Sequence, residues 1–326
     1  MVEPPNDIER LIQDVLAELG FDADPAEVAR RVRRLNYGLP AEDEFSVICA
    51  WLGRVSLLHK LDQQQTPIAS KAEFQVPDIL VSFESAGPVL VEIKVCNDRT
   101  LSFKPDYHTR LTQYASLLGL PLLIAWKFHS LWTLFDARHL TLARKNFNIT
   151  HNEAMRQNLL GALAGDVAFK LAEGSGVHLD LAKEELIETT PTEDGYTEVW
   201  QMRVSNVFFT GQGGEVRDDL HIETTQLLTT WDLESTEEHF PTHVRQSFTV
   251  GADGIEFAHR ALVRLLDWES GAKDRASWRN VLRSTEITRS IAHFGTALKR
   301  GLTEGVVSHI FRQQPVTTPD FLVEAD

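Results

Sequence analysis

The sequence predicts an α/β fold: a mixed sheet flanked by helices, with a second, α+β region in the C-terminal half. Three observations lead there. Over roughly the first 62 positions the apolar residues follow the 3.6-residue period of helices. From Gln75 they switch to β-type runs. The order that results is helix, strand, turn, strand, helix, strand, which is that of a sheet with a helical cover. The 326 residues suffice for two ordinary domains or one large one. The expected division is an N-terminal helical segment 1–40, a core 41–150 and an accessory region 151–326.

Asp7 can cap a first helix from Ile8 to Leu19, whose Ile8, Leu11, Ile12, Val15 and Leu16 share a face, and Gly20 ends it. Asp24-Pro25 opens a second helix carrying Val28, Val32 and Leu35. A third is expected from about Ala41 to Leu61, with Phe45, Ile48, Leu52, Val55 and Leu58 on one side. Ile79–Phe83 and Val89–Val95 read as strands, joined by the turn residues Glu84-Ser85-Ala86-Gly87-Pro88. Tyr107–Leu118 is helical and closed by Gly119, and Leu120–Trp126 reads as a buried strand. Residues 150–180 are expected to be mainly helical. Residues 180–250 carry short β-like runs such as Thr197–Val204, and residues 255–313 return to helix. The tail from Gln314 is expected to be loose.

Composition narrows the function classes. With 43% hydrophobic and 24% charged residues the chain is neither disordered nor fibrous. Two cysteines, Cys49 and Cys96, lie among apolar residues, which suggests buried thiols in a reducing compartment. The N-terminus lacks the basic and apolar regions of a signal peptide, and no apolar run reaches a membrane span, so no membrane partner and a soluble cytoplasmic protein are expected. Spread evenly, the net charge of −15 would argue against a nucleic-acid partner, because carboxylates repel phosphate. The charge is uneven, however. Residues 180–240 hold 15 acids against 3 Lys or Arg, while residues 41–140 hold 11 acids and 9 bases.

The stretch that carries chemistry is Val76-Pro77-Asp78-Ile79-Leu80-Val81, followed by Glu92-Ile93-Lys94. Glu92 and Lys94 are two apart on a strand, so both side chains leave the same face. Asp78 opens the preceding strand of the same hairpin-like unit and can sit beside Glu92. Two adjacent carboxylates repel unless a cation lies between them. Oxygen-only ligands suit a hard ion, Mg²⁺ or Mn²⁺. Such an ion polarises a phosphoryl oxygen and acidifies water, and Lys94 can orient that water or stabilise charge on the phosphate. Together these parts perform phosphodiester hydrolysis.

This arrangement resembles the PD-(D/E)xK nuclease superfamily, which includes restriction endonucleases and Holliday-junction-resolvase-like enzymes. The resemblance covers about residues 40–130 and implies a restriction-endonuclease-like sheet. Asp78 matches the motif aspartate, Glu92 the second acid and Lys94 the lysine. The family places an acidic helix before the motif, which makes Glu44 a third metal ligand, with Glu42 and Asp43 as rivals. It places a helix and an apolar strand after the motif, and Gln113 matches a glutamine that supports the site in several branches. Tyr114, turned about 100° from Gln113, packs instead. Taken alone, a Pro-Asp pair is a common turn and a Glu-x-Lys pair a common solvated edge strand. It is their conjunction, flanked by the right elements, that implies a Mg²⁺-dependent endonuclease. DNA is the expected substrate, in restriction, phage defence or repair. The same fold without catalysis, as a nucleic-acid-binding or regulatory module, is the alternative.

Other candidates are weaker. His108, His129 and His139 lack metal-ligand spacing. Gly211-Gln212-Gly213-Gly214 lacks the ending of a phosphate loop and reads as a turn. Residues 260–312 hold 10 Lys or Arg and 5 acids on three expected helices, about Ile255–Trp268, Ala276–Leu282 and Thr285–Lys299. DNA contact, self-association or simple solvation all fit that pattern. A homo-oligomer and an activating partner or ligand stay open.

Overall fold

The structure, a computed structural model, describes residues 41–61, 68–192, 195–228, 233–252, 254–269 and 294–322. The segment 1–40 with its two expected helices, and the helix expected at Ala276–Leu282, lie outside the described residues. Two compact units emerge: one whose described part is 41–166 with 313–322, and one whose described part lies between Val167 and Arg312.

The first unit is built on a mixed five-stranded sheet. Helix α1 (residues 41–52) precedes β1 (Val55–Lys60), β2 (Ile79–Phe83) and β3 (Ala86–Val95). Then come β4 (Thr100–Phe103), α2 (Pro105–Leu118), β5 (Leu122–Phe128) and β6 (Leu131–Asp136). The sheet order is β1-β2-β3-β5-β6. β3 and β5 are parallel, with Leu90 beside Leu122, and the other neighbours are antiparallel. The parallel pair needs a crossover, and α2 supplies it. Ile79, Val81 and Phe83 alternate inward on β2, whereas Leu123, Ile124, Ala125 and Trp126 are all buried, as befits a central strand covered on both faces. α2 starts with Pro105 in its first turn and stops where Gly119 turns left-handed at φ 65°, its N–H bonding Ala115 and Ser116 carbonyls. A second, three-stranded sheet has the order β4-β8-β7, from β7 (Thr141–Ala143) and β8 (Asn146–Thr150).

Three expectations are corrected here. The third helix does not reach Leu61. It ends at Gly53, which sits at φ 82°, and Val55–Lys60 is a strand. The three-residue spacing of Val55 and Leu58 imitates a helix because a register shift between Val55 and Leu57 adds a residue to that strand, so Val55 pairs with Phe83 and Leu58 with Val81. Residues 150–180 are helical only over α3 (His151–Arg156) and α4 (Leu160–Leu163), after which Gly165, at φ 90°, leads into β9 (Ala168–Leu171). Nor is the tail loose over its described part, 314–322. Asn158 Nδ2 donates to Gln313 Oε1 at 3.0 Å, Val316 N–H to the Arg156 carbonyl at 2.9 Å and Thr317 N–H to Gln157 Oε1 at 3.2 Å.

The second unit is α+β, as expected, but two of its strands are long rather than short. β10 (Gly176–Thr192) and β11 (Gly195–Thr210) pair along their whole length with three register shifts. They belong to an antiparallel sheet of order β12-β11-β10-β14-β13, with β12 (Val216–Arg217), β13 (Glu234–His239) and β14 (His243–Thr249). Because β14 pairs only with Gly176–Ala182, the rest of the hairpin projects as a two-stranded ribbon that exposes Leu186, Ile187, Tyr196 and Val199. A three-stranded sheet of order β15-β9-β16 uses β15 (Glu256–Phe257) and β16 (Val307–Phe311). Helices α5 (Ile222–Leu227), α6 (Ala258–Glu269) and α7 (Phe294–Thr303) complete the unit. Of the basic residues in this region, Arg260 and Arg264 both pair with Glu256, at 3.2 and 2.9 Å, and Arg300 pairs with Glu223 at 3.3 Å. Lys273, Arg275, Arg279, Arg283 and Arg289 lie outside the described residues.

On β10, buried His178 bridges Ser247 Oγ at 2.8 Å and Thr210 Oγ1 at 3.0 Å. Burial, reinforced by nearby Arg245, lowers its pKa. A histidine held neutral contributes stability that is complete above its unfolded pKa of about 6.5 and is lost as pH falls through the lower folded value. Denaturation midpoints of the second unit are therefore expected to hold steady above about pH 7 and fall below about pH 6. His178→Gln is expected to flatten that fall, and an unchanged acid slope in the variant would refute the assignment.

Candidate active site

The Pro77-Asp78 turn delivers Asp78 to the start of β2, where its backbone carbonyl accepts from Leu61 N–H at 2.9 Å. Ile79 pairs with Val91 across the ladder, so the register carried one step back sets Asp78 across from Glu92. Ile93 N–H donates to Asp78 Oδ2 at 2.7 Å and fixes the carboxylate there. Glu92 is fully enclosed, at 0% exposure, on the most buried part of β3. Two residues on, Lys94 leaves the same face and its Nζ forms an ion pair with Glu92 Oε1. Asp78, Glu92 and Lys94 thus converge.

Electrostatics in this enclosure are unfavourable for two bare carboxylates. Burial, then the neighbouring Glu92 charge, pushes the Asp78 carboxyl well above its ordinary range. Burial opposes the charge on Lys94, but Glu92, Tyr107 and Asp78 outweigh it and raise the ammonium pKa. Glu92 Oε2 is buried and has no hydrogen-bond partner among the described residues. A carboxylate oxygen left so is costly unless something positive meets it.

The helix acid beside this pair is Glu42. Its pKa is raised by burial, with the Lys60 charge opposing and both Asp43 and Glu92 adding to the rise, and Glu42 in turn raises Asp78. Lys60 Nζ lies 3.5 Å from Glu42 Oε2 and forms a close pair with Asp43. Glu44, expected as the third ligand, is occupied elsewhere: its carboxylate takes Lys127 Nζ at 2.5 Å and Trp132 Nε1 at 2.9 Å. Residues 42 and 44 are about 200° apart around a helix, so only one of them can face β3. Glu42→Gln is accordingly expected to weaken Mn²⁺ binding by about tenfold while leaving thermal stability nearly unchanged. Glu44→Gln is expected to do the reverse and cost about 1–3 kcal/mol of stability, since it breaks up a buried hydrogen-bonded pair. Matched Mn²⁺ titration and thermal melts decide, and identical behaviour of the two variants would refute this division.

Gln113 does not join the site. It is exposed on α2 and lines a shallow cleft with Glu73, Phe74 and Thr109. The α2 residue that does reach Glu92 and Lys94 is Tyr107, which the sequence reading passed over. Its hydroxyl donates to Glu92 Oε1 and accepts from Lys94 Nζ at 3.1 Å. The signal available was its place on the buried stripe of α2, one turn before Leu111 and two before Tyr114, which packs on the core as expected. His108 stacks on Phe147 and His129 packs edge-on to Phe128, apart from the carboxylates.

Among the described residues no three His, Cys, Asp or Glu side chains form a ready-made metal cage. The donor set nevertheless fits one hard divalent ion. Mg²⁺ is commonly held by one or two carboxylates, with water and phosphate completing its shell. Asp78 and the unpartnered Glu92 Oε2 offer that minimum, with Glu42 nearby.

Residues 67–164 match the family model of the archaeal Holliday junction resolvase, Hjc, a member of the PD-(D/E)xK nuclease superfamily. They contain Asp78, Glu92 and Lys94. The resemblance to this superfamily, and the mixed α/β fold it implies, therefore hold for this part of the chain. Among solved structures, the Hjc resolvase of the hyperthermophile Archaeoglobus fulgidus is similar over 35% of this chain and 89% of its own, with 21% identity and a TM-score of 0.30. No curated protein matches the chain. Among the described residues no helix is long and apolar enough to cross a membrane.

Proposed function

We propose that the chain is a metal-dependent endonuclease that hydrolyses phosphodiester bonds in DNA, with four-way junctions as the first substrate to try. The observation that carries this reading is the convergence of Asp78, Glu92 and Lys94 around a buried carboxylate oxygen that lacks a partner among the described residues. Its position inside the stretch that matches a Holliday junction resolvase family favours DNA, and branched DNA in particular.

In this reading Asp78 and Glu92 hold a Mg²⁺ or Mn²⁺ ion, with Glu42 as the helix acid beside them. When bound, the ion supplies positive charge at the phosphate and acidity to nearby water. Lys94 keeps its ammonium charged through its acidic neighbours. From that position it orients the attacking water and offsets charge growing on the phosphate. The buried floor of β3 keeps these charges in a poorly screened setting, where they act more strongly than at a solvated surface.

A non-catalytic nuclease fold is the second reading. The specific observation in its favour is that Lys94 already occupies Glu92 Oε1 and that the described residues form no three-ligand cage. One experiment separates the two. Purified protein is incubated with junction and duplex DNA and Mg²⁺ or Mn²⁺, beside Asp78→Ala and a sample with EDTA. Cleavage equal in all samples sinks the nuclease assignment. Absence of both cleavage and Asp78-dependent Mn²⁺ binding favours the second reading.

A further inference from the structure

We propose that Tyr107 is the positioning residue of this site, holding Lys94 and Glu92 in one fixed arrangement and leaving Glu92 a single oxygen to offer a cation. The kinetic part of this inference rests on the nuclease reading above; the structural part does not.

Three groups close a ring. Lys94 Nζ donates to Glu92 Oε1 and to the Tyr107 hydroxyl oxygen at 3.1 Å, and the Tyr107 O–H donates to the same Glu92 Oε1. A phenol has one proton to give, and Tyr107 spends it on Glu92 Oε1 while accepting from Lys94. Both donors fall on Oε1, and Oε2 is left buried without a partner among the described residues. Asp78 and Glu92 would hold a cation, and Oε2 is the Glu92 oxygen that no hydrogen-bond donor among the described residues would compete for. Without the phenol, Lys94 would keep one partner and a free swing on its four-carbon stem.

The ring system adds to the hold. Lys94 Nζ lies 4.9 Å from the Tyr107 ring centre and 5.8 Å from that of Phe103, close enough for cation–π attraction to both faces. Tyr107 itself is anchored. Pro105 fixes the backbone at the start of α2, and the Phe103 and Tyr107 rings pack 5.9 Å apart. The aromatic body thus sets where the hydroxyl goes, and the hydroxyl sets where Lys94 goes.

Tyr107→Phe keeps the ring and removes only the hydroxyl, so packing and positioning can be told apart. Three readouts are needed. The first is the ¹⁵N–¹H signal of the Lys94 ammonium, identified by its absence in Lys94→Met. It is expected in the full-length protein and is expected to vanish in Tyr107→Phe as the ammonium is released to water. The second is steady-state cleavage, where kcat is expected to fall by about tenfold to a hundredfold, the range for losing a hydrogen bond to charged groups, with KM for DNA unchanged. The third is the melting temperature, expected to fall by only a few degrees, as for the loss of one hydrogen bond. A Lys94 signal that persists in the variant overturns the proposal, as does a loss of kcat matched by a rise in KM and a large drop in melting temperature. If the parent protein cleaves nothing, the nuclease reading fails, while the ammonium signal still decides the role of Tyr107.

Discussion

Asp78→Ala is expected to abolish metal-dependent cleavage, with a loss of about a thousandfold or more, equivalent to ~4 kcal/mol of transition-state stabilisation. In the proposed site Asp78 and Glu92 carry the ion, with Glu42 beside them, and among the described residues Glu92 Oε2 accepts no hydrogen bond. Asp78→Asn sharpens the test, because the amide oxygen can still accept from Ile93 N–H while the charge is gone. The effect on stability has the opposite sign. Burial and the Glu92 charge both disfavour an ionised Asp78 in the folded chain, so in EDTA the Asn variant should melt no lower than the parent and can melt higher. Mn²⁺ should raise the melting temperature of the parent and not of the variant, since an ion that binds only the folded state stabilises it by mass action. Paired melts with and without Mn²⁺, run beside the cleavage assay, check both halves. A variant that still gains stability from Mn²⁺ would place the ion elsewhere.

Lys94→Ala carries the second large effect, on stability as well as on activity. Glu92 is enclosed, and among the described residues its ion-pair partner is Lys94. Removing one member of a buried pair costs about 3–5 kcal/mol, and the one-third exposure of Lys94 reduces this to roughly 2–4 kcal/mol. Chemical denaturation in EDTA measures it. Adding Glu92→Gln to Lys94→Ala should recover much of the loss, because no bare charge then stays buried. If Lys94→Ala unfolds within 0.5 kcal/mol of the parent, a figure typical of surface substitutions, the pair is solvated and its assigned role is refuted.

Much of the first unit was legible because its signals are local. Pro77 and Asp78 mark a strand start, Gly119 a helix stop, and the unbroken apolar run at Leu122–Trp126 a central strand. Glu92 and Lys94 could be assigned to one face from strand parity alone, and the structure pairs them. What escaped depends on partners distant in sequence. α1 and β1 merge in the sequence because a one-residue shift in β1 mimics helical spacing. The choice of Glu42 over Glu44 depends on where Lys127 and Trp132 lie, 83 and 88 residues away from Glu44. Gln113 sits six residues beyond Tyr107, about 240° around the helix, so the family pattern and the core-facing stripe pointed at different side chains. The length of the β10–β11 ribbon was hidden because both its faces meet solvent, which leaves no clean alternation of apolar and polar residues.

The return of residues 313–322 to the first unit has a consequence in time. Synthesis delivers Val167–Arg312 before Gln313, so every contact of the second unit can be made while Asn158, Gln157 and Arg156 still wait for Gln313, Thr317 and Val316. The unit that begins first is completed second. An unfinished chain thus holds the carboxylates of Asp78 and Glu92 in a unit not yet closed, and the unit that carries them is finished only after its neighbour has had the chance to fold.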